Sequence, residues 1–260
     1  MPVHDWKRVD AEIFHAFHVA WLPEIQRALN GGLLPEGYYA LAEQHAGRAI
    51  ADVLTLHASP TTFERLPVPP ATGGTAVAEA PPRTRRKQTI EPAALALRRS
   101  LAVRHVSGHR LVALLEVVSP ASKDREGHVE DLVAKIVSAI DAGIHVLLVD
   151  LFPPGTHDPS GMHGEVLARL DPSRDPYELP DNEQLTLASY AAGERVEMYL
   201  EHLAVGAELV EMPLFLRPDR YIDVPLEKTY QAAYTGMPEF WRIRLREELR
   251  PRVDSAAAAC

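Results

Sequence analysis

The stretch LVALLEVVSPASK, residues 111–123, decides the fold because a strand-like apolar run in it is interrupted by one carboxylate. Six of its first seven residues are apolar, which is typical of a strand buried on both faces of a sheet. The exception is Glu116. A carboxylate without a partner in such a strand would cost several kcal/mol or lose its charge. Glu116 therefore either has a partner or lies at a strand end that faces a cleft.

The residues after this strand predict a helix and then a second buried strand. Apolar residues recur at helical spacing over 127–142, and Gly143 ends the pattern. The run IHVLLVDLF, 144–152, is almost continuously apolar. A strand, a helix and another buried strand favour a right-handed crossover with parallel pairing. We therefore expect an α/β protein with a mixed central sheet flanked by helices.

Elements on both sides of this unit have recognisable patterns. Apolar residues at three- and four-residue spacing predict a helix over 10–30, and the segments 37–47 and 48–58 predict two short strands that form a hairpin at Gly47. Further segments are assigned by the same patterns: strands at 95–106, 195–205 and 210–216, a loop at 153–165, and a helix at 224–236.

The chain is interpreted as one domain over 1–250. Seven prolines fall within 59–92, so we expect an irregular, mobile insertion at about 60–92 inside that domain. The tail, 251–260, is expected to be disordered. The sequence does not specify an oligomeric state.

Composition excludes several classes of protein. No run approaches 18 consecutive apolar residues, and the N-terminus carries charges where a secretory signal has its apolar centre, so we expect a cytoplasmic protein that does not enter a membrane. Cys260 is the single cysteine, which excludes an internal disulfide and a cysteine metal cluster.

Charge is unevenly distributed along the chain. The formal net charge of -9 argues against a protein that coats nucleic acid by counterion release alone. Nevertheless, seven Arg or Lys residues lie within 83–104. This local basic segment is either a solvated loop or a contact for nucleic acid.

Two acids lie in apolar strands and suggest a metal site. Asp52, in IADVLTLH, and Glu116 could come together on adjacent strands, where two carboxylates repel each other unless a hard cation such as Mg²⁺ lies between them. A nearby lysine would stabilise charge that develops on a phosphate, and Lys123 and Lys135 are the candidates. Phosphate-binding loops, dinucleotide fingerprints and serine-hydrolase elbows are absent from the sequence.

Structural interpretations of the same residues remain open. Glu116 could form a buried ion pair with Lys135, and Asp52 could accept backbone amides or pair with an arginine. Three weaker candidates are carried by spacing alone: His15 with His18 on the first helix, the group His157, Asp158, His163 and Glu165, and Asp150 at a strand end.

Segments including FHAFHVAW, LVALLEVVSPASK and GIHVLLVDLF resemble a bacterial family catalogued as domain of unknown function 4058, over about residues 1–245. The order of Asp, then E-V-x-S-P, then a lysine-bearing helix also resembles the PD-(D/E)XK nuclease-like superfamily. This resemblance implies a restriction-endonuclease-like core with Asp52 and Glu116 as Mg²⁺ ligands and Glu43 as an auxiliary ligand. The superfamily's lysine position, two after Glu116, is occupied by Val118. The resemblance therefore implies Lys135, or else Lys123, as the catalytic lysine.

The resulting functional hypothesis is a Mg²⁺-dependent phosphodiesterase that acts on nucleic acid. The alternative is a catalytically inactive nuclease-like fold that serves as a binding or interaction module. Val118 and the acidic net charge favour the alternative, whereas acids within apolar strands favour the enzyme.

Overall fold

The computed structural model describes residues 2–42, 53–58, 78–79, 86–90 and 109–248. Five α-helices lie in this part of the chain: α1 Ala11–Ala28, α2 Glu126–Asp141, α3 Gly161–Leu170, α4 Leu226–Gly236 and α5 Glu239–Glu248. The described strands are β1 Tyr38–Leu41, β2 Val53–Ala58, β3 Ala78–Glu79, β4 Arg86–Ile90, β5 His109–Val117, β6 His145–Asp150, β7 Leu185–Ala191, β8 Val196–Leu203, β9 Met212–Arg217 and β10 Arg220–Val224.

The strands form a mixed seven-stranded sheet and a small three-stranded sheet. The order in the large sheet is β1-β2-β5-β6-β7-β8-β4, and the small sheet has the order β3-β10-β9. Within the large sheet, β5 and β6 pair in parallel, with Glu116 opposite Leu148, and the other described pairs are antiparallel. The parallel pair is the strand–helix–strand unit predicted around α2.

Helices cover both faces of the large sheet because its central strands are apolar on both sides. Alternate residues of β5, such as Leu115 and Val117, join one core cluster with α1, α4 and the small sheet. The intervening Leu114 and Val118 join a second cluster with α2 and α3. The protein is therefore an α/β protein with three layers, and Glu116 lies on the face that α2 covers.

The packing of α1 follows directly from its sequence pattern. Phe14, Phe17 and Trp21 are buried on one side of the helix, where Phe17 and Trp21 contact the ring of Tyr230 in α4. The indole of Trp21 also donates a hydrogen bond to Thr229, at 3.0 Å. Among the described residues, no helix combines the length and the apolar character that crossing a bilayer requires.

The predictions for most elements are confirmed to within a few residues. This holds for α1, α2, α4, β5, β6, β8 and β9, and for the antiparallel pairing of β1 with β2. The predicted turn at Gly47, the strand at 95–106 and the tail at 251–260 lie outside the described residues.

Within the segment 60–92, expected to be an irregular insertion, the structure describes two strands, β3 and β4, and the rest of the segment lies outside the described residues. One sequence interpretation was wrong. The expected loop at 153–165 ends early because α3 begins at Gly161, which places His163 and Glu165 on a helix. The strand β7 has no clear signal in the sequence, because its residues, LTLASYA, include two polar positions that break the apolar pattern.

Three buried histidines are held without charge by the fold. Burial lowers the pKa of His4 and of His145 to about 4 and that of His163 to about 3. The ring of His4 lies 2.6 Å from the hydroxyl of Tyr230, and that of His163 lies 2.7 Å from the hydroxyl of Tyr190. Each histidine binds a proton more readily in the unfolded chain, so its contribution to stability is lost as the pH falls below about 6.5.

We predict that the free energy of unfolding falls more steeply between pH 7 and pH 5 in the wild type than in His4→Asn. The difference is about 2 kcal/mol, the linkage expected for one histidine with these two pKa values. Urea titrations at both pH values measure it, and His157→Asn, at an exposed loop position, is the control that keeps the wild-type slope. Equal slopes for His4→Asn and the wild type would contradict the interpretation.

Candidate functional site

Glu116 has a cationic partner, which answers the question raised by the sequence. Its Oε1 lies 2.5 Å from Nζ of Lys135, and the two side chains are 4% and 10% exposed. Glu116 lies near the end of β5, and Lys135 lies on the face of α2 that covers the sheet, between the buried Val133 and Ile136. A strand acid and a helix lysine, 19 residues apart in sequence, therefore meet between the two layers.

The position two residues after Glu116 contributes no charge. Val118 is 1% exposed and packs with apolar residues of α2 and α3. The chemistry that a lysine would supply there can therefore come only from another element. Among the described lysines, Lys135 has the ammonium group that contacts Glu116.

Lys123 is at the centre of a second buried ionic group. Its Nζ lies 2.9 Å from Oδ2 of Asp150 and 2.7 Å from Oδ2 of Asp158. It also donates hydrogen bonds to the carbonyl oxygens of Phe152 and Pro153, at 2.9 and 3.3 Å. Since an ammonium has three N–H groups, these four acceptors occupy it fully, which favours a structural role for Lys123.

The carboxylates of this group also bind backbone amides. Asp150 accepts a hydrogen bond from Phe152 N at 3.1 Å, and Asp158 accepts one from Gly155 N at 2.9 Å. The group therefore connects the turn after β5 with the loop after β6. We call Lys123, Asp150 and Asp158 the edge cluster, because they lie at the carboxyl-terminal ends of the parallel strands β5 and β6.

Burial and charge act in opposite directions on the edge cluster. Burial alone would lower the pKa of Lys123, but Asp150 and Asp158 raise it above its ordinary value through their charges and hydrogen bonds. Complete burial raises the pKa of Asp150, although Lys123 opposes that shift. Lys123 therefore stays protonated at neutral pH and has no free lone pair for nucleophilic chemistry.

The remaining sequence candidates are in different places. Asp52 and Glu43 lie outside the described residues. His157 is exposed, whereas His163 is buried in α3 beside Tyr190. The half-buried Glu165 also lies on α3, where burial raises its pKa.

The metal interpretation can be tested against the side chains that are described. Carboxylate oxygens are suitable ligands for Mg²⁺, so Glu116 has the right chemistry. It is one carboxylate, however, and a lysine lies against it. Within the described residues, no three His, Cys, Asp or Glu side chains are grouped so that they could hold a metal ion. A metal site at Glu116 would therefore need ligands from outside the described residues.

A chain of polar side chains that no sequence pattern reveals lies on the α3 side of the sheet, at the same strand ends. The hydroxyl of Tyr177 lies 2.7 Å from Nε2 of His202, whose Nδ1 lies 3.2 Å from Oγ1 of Thr186. Tyr177 also lines a cavity of about 330 Å³ with residues that include Pro154 and Pro159. Thr186 lies opposite Asp150 in the sheet, which places this polar chain at the strand ends near Asp150. No spacing in the sequence indicates this placement.

Comparisons with known proteins identify no relative. No family model matches the chain, and neither a similar curated protein nor a similar solved structure was found. The resemblances drawn from the sequence therefore remain predictions.

We predict that Lys123→Met lowers the free energy of unfolding by about 3–5 kcal/mol, because it leaves two buried carboxylates without their cation. Urea unfolding measures this loss. The matched control is Arg27→Met, which removes the exposed partner of Glu24 and should cost less than about 1 kcal/mol. Equal, small losses in both variants would show that the edge cluster does not stabilise the fold.

Proposed function

We propose that the protein is a PD-(D/E)XK-like, Mg²⁺-dependent phosphodiesterase that acts on nucleic acid. The observation that carries the proposal is the contact of 2.5 Å between Glu116 of β5 and Lys135 of α2. It brings together the acid and the helix lysine that the sequence resemblance assigns to one site.

The order of the elements supports this proposal. A helix precedes the β1–β2 hairpin, Glu116 lies on β5, which pairs with β2, and the lysine-bearing α2 leads into the apolar β6. The sheet is mixed and has helices on both faces. A restriction-endonuclease-like core has this general arrangement.

The proposal requires Asp52 as a second ligand. Val53 lies opposite Leu115 in the antiparallel pairing of β2 with β5. In the sequence, Asp52 directly precedes Val53, and Glu116 directly follows Leu115. Asp52 and Glu116 would hold Mg²⁺, with Glu43 as an auxiliary ligand. The ion would polarise a phosphoryl oxygen and lower the pKa of a bound water.

Lys135 would act on the charge of the phosphate. Its ammonium is largely shielded from water, and electrostatic interactions are stronger in such surroundings than in bulk water. In the proposed reaction, Lys135 exchanges its contact with Glu116 for one with the phosphate and stabilises the negative charge that develops there. Val118 cannot supply this charge, so the proposed activity depends on α2.

A catalytically inactive binding module is the second candidate. The same ion pair favours this candidate if the pair is permanent. Lys135 would then neutralise Glu116 and prevent a metal ion from binding there. Val118 in place of the superfamily's lysine also favours it.

Calorimetric titration of Mg²⁺ and Mn²⁺ distinguishes these two candidates. We expect the wild type to bind at millimolar metal or below and Glu116→Gln to lose that binding, because the amide removes a charged ligand. Glu130→Gln, at an exposed position on α2, is the matched control and should bind as the wild type does. If the wild type does not bind either metal at millimolar concentration, the enzyme proposal fails.

Cleavage of a labelled oligonucleotide extends the same test to the lysine. Lys135→Gln should lower the rate by about 10²–10³-fold, the usual effect of removing one electrostatic stabiliser, and should still bind metal. Lys228→Gln, at an exposed position on α4, is the control. An unchanged rate in Lys135→Gln would remove Lys135 from the proposed reaction.

A further inference from the structure

A groove lies between the first turns of α1 and the turn that follows β5. It has a volume of about 320 Å³, at the small end of the range for small-molecule sites. One wall is formed by α1, with Ala11, Glu12, Phe14, His15 and His18, and the other by Ser119, Pro120 and Ala121. The groove is open to solvent at the exposed Ala11 and Ala121.

Flat rings form much of this groove. The rings of Phe14 and His18 are stacked, with centroids 5.9 Å apart and an interplanar angle of 28°. Phe14 is 1% exposed and is fixed from behind by an edge contact with Phe152, at 4.8 Å. Pro120 presents a third ring from the opposite wall. Because Phe14 is buried behind His18, the rings of His18 and Pro120 are the ones that a planar apolar ligand would meet.

Polar groups are placed at the rim of the groove. Glu12 and His15 are exposed there, and the Ser119 hydroxyl lies 3.0 Å from that of Ser122. An ionised carboxylate accepts hydrogen bonds, whereas imidazole and hydroxyl groups can both accept and donate them. A ligand with a flat apolar face and a polar edge would match both parts of the lining, and a nucleobase has this combination.

The groove lies close to Glu116 along the chain. Ser119 is three residues beyond Glu116 in extended backbone, which corresponds to about 10 Å between the two Cα atoms. Glu116 faces α2, whereas the groove opens towards α1. A nucleic acid strand that crosses the end of β5 would therefore place a phosphate near Glu116 and an adjoining base in the groove.

We propose that this groove binds one unpaired nucleobase of the nucleic acid substrate. The choice of substrate rests on the proposed function, but the groove is a separate site with its own residues. A groove of this size has room for one nucleoside and not for a base pair, so the protein would prefer single-stranded or locally unpaired nucleic acid.

Binding of a labelled single-stranded hexadeoxynucleotide in EDTA at low salt tests the proposal by fluorescence anisotropy. The comparison probe is a hexamer of equal charge in which every nucleotide is an abasic tetrahydrofuran. We expect the wild type to bind the base-bearing probe about tenfold more tightly, as is usual for a base on an aromatic platform. Ala121→Leu fills the groove and should abolish this preference, whereas Ala232→Leu, at an exposed position on α4, should retain it.

Equal affinity of the wild type for both probes, or no binding of either, would overturn the proposal. So would an unchanged preference in Ala121→Leu. Because EDTA removes metal ions, this measurement does not depend on catalysis. If the protein prefers the base-bearing probe but binds no Mg²⁺, the groove is still a nucleobase site, and the proposal of a phosphodiesterase fails.

Discussion

The two carboxylates buried in the parallel strands, Glu116 and Asp150, each have a lysine partner, and these two pairings shape the structure. Glu116 and Asp150 lie on the two parallel strands, in the most apolar part of the sheet. A buried carboxylate that lost its partner would cost several kcal/mol. Lys135 therefore ties α2 to β5, and Lys123 ties the turn after β5 to the loop after β6.

These two ionic groups differ in what they leave available for chemistry. Lys123 is saturated by two carboxylates and two carbonyl oxygens, so it stabilises the edge of the sheet. Lys135 has one ionic contact among the described residues, with Glu116. A metal ion that binds Glu116, or a phosphate that binds Lys135, would replace the contact between these two side chains. The proposed function rests on this difference.

Much of the fold could be predicted from sequence because its signals are local. The continuous apolar runs of β5 and β6, with the amphipathic α2 between them, predict a parallel unit, and the spacing of Phe14, Phe17 and Trp21 predicts the buried face of α1. The strands β3 and β4 could not be found in this way. They lie in or beside proline-rich and basic sequence, and they are strands because β10 and β8 pair with them.

The site was predictable in its residue types and not in its pairings. The isolated charge of Glu116 signals a partner, and Lys135 was one of two candidate lysines. The sequence could not assign Lys123 to Asp150 and Asp158, because those contacts depend on how the loop after β6 folds back over the edge. In the sequence, only its position at a strand end distinguishes Asp150.

The central claim is that Glu116 exchanges Lys135 for a metal ion and is not a purely structural charge. Its most direct test is the free energy of unfolding of the wild type and of Glu116→Gln, with and without 10 mM Mg²⁺ at constant ionic strength. Specific binding to the folded state at a Kd of about 0.1 mM would stabilise the wild type by about 2.7 kcal/mol and leave Glu116→Gln unchanged. Equal responses of the two proteins to Mg²⁺ would contradict the account.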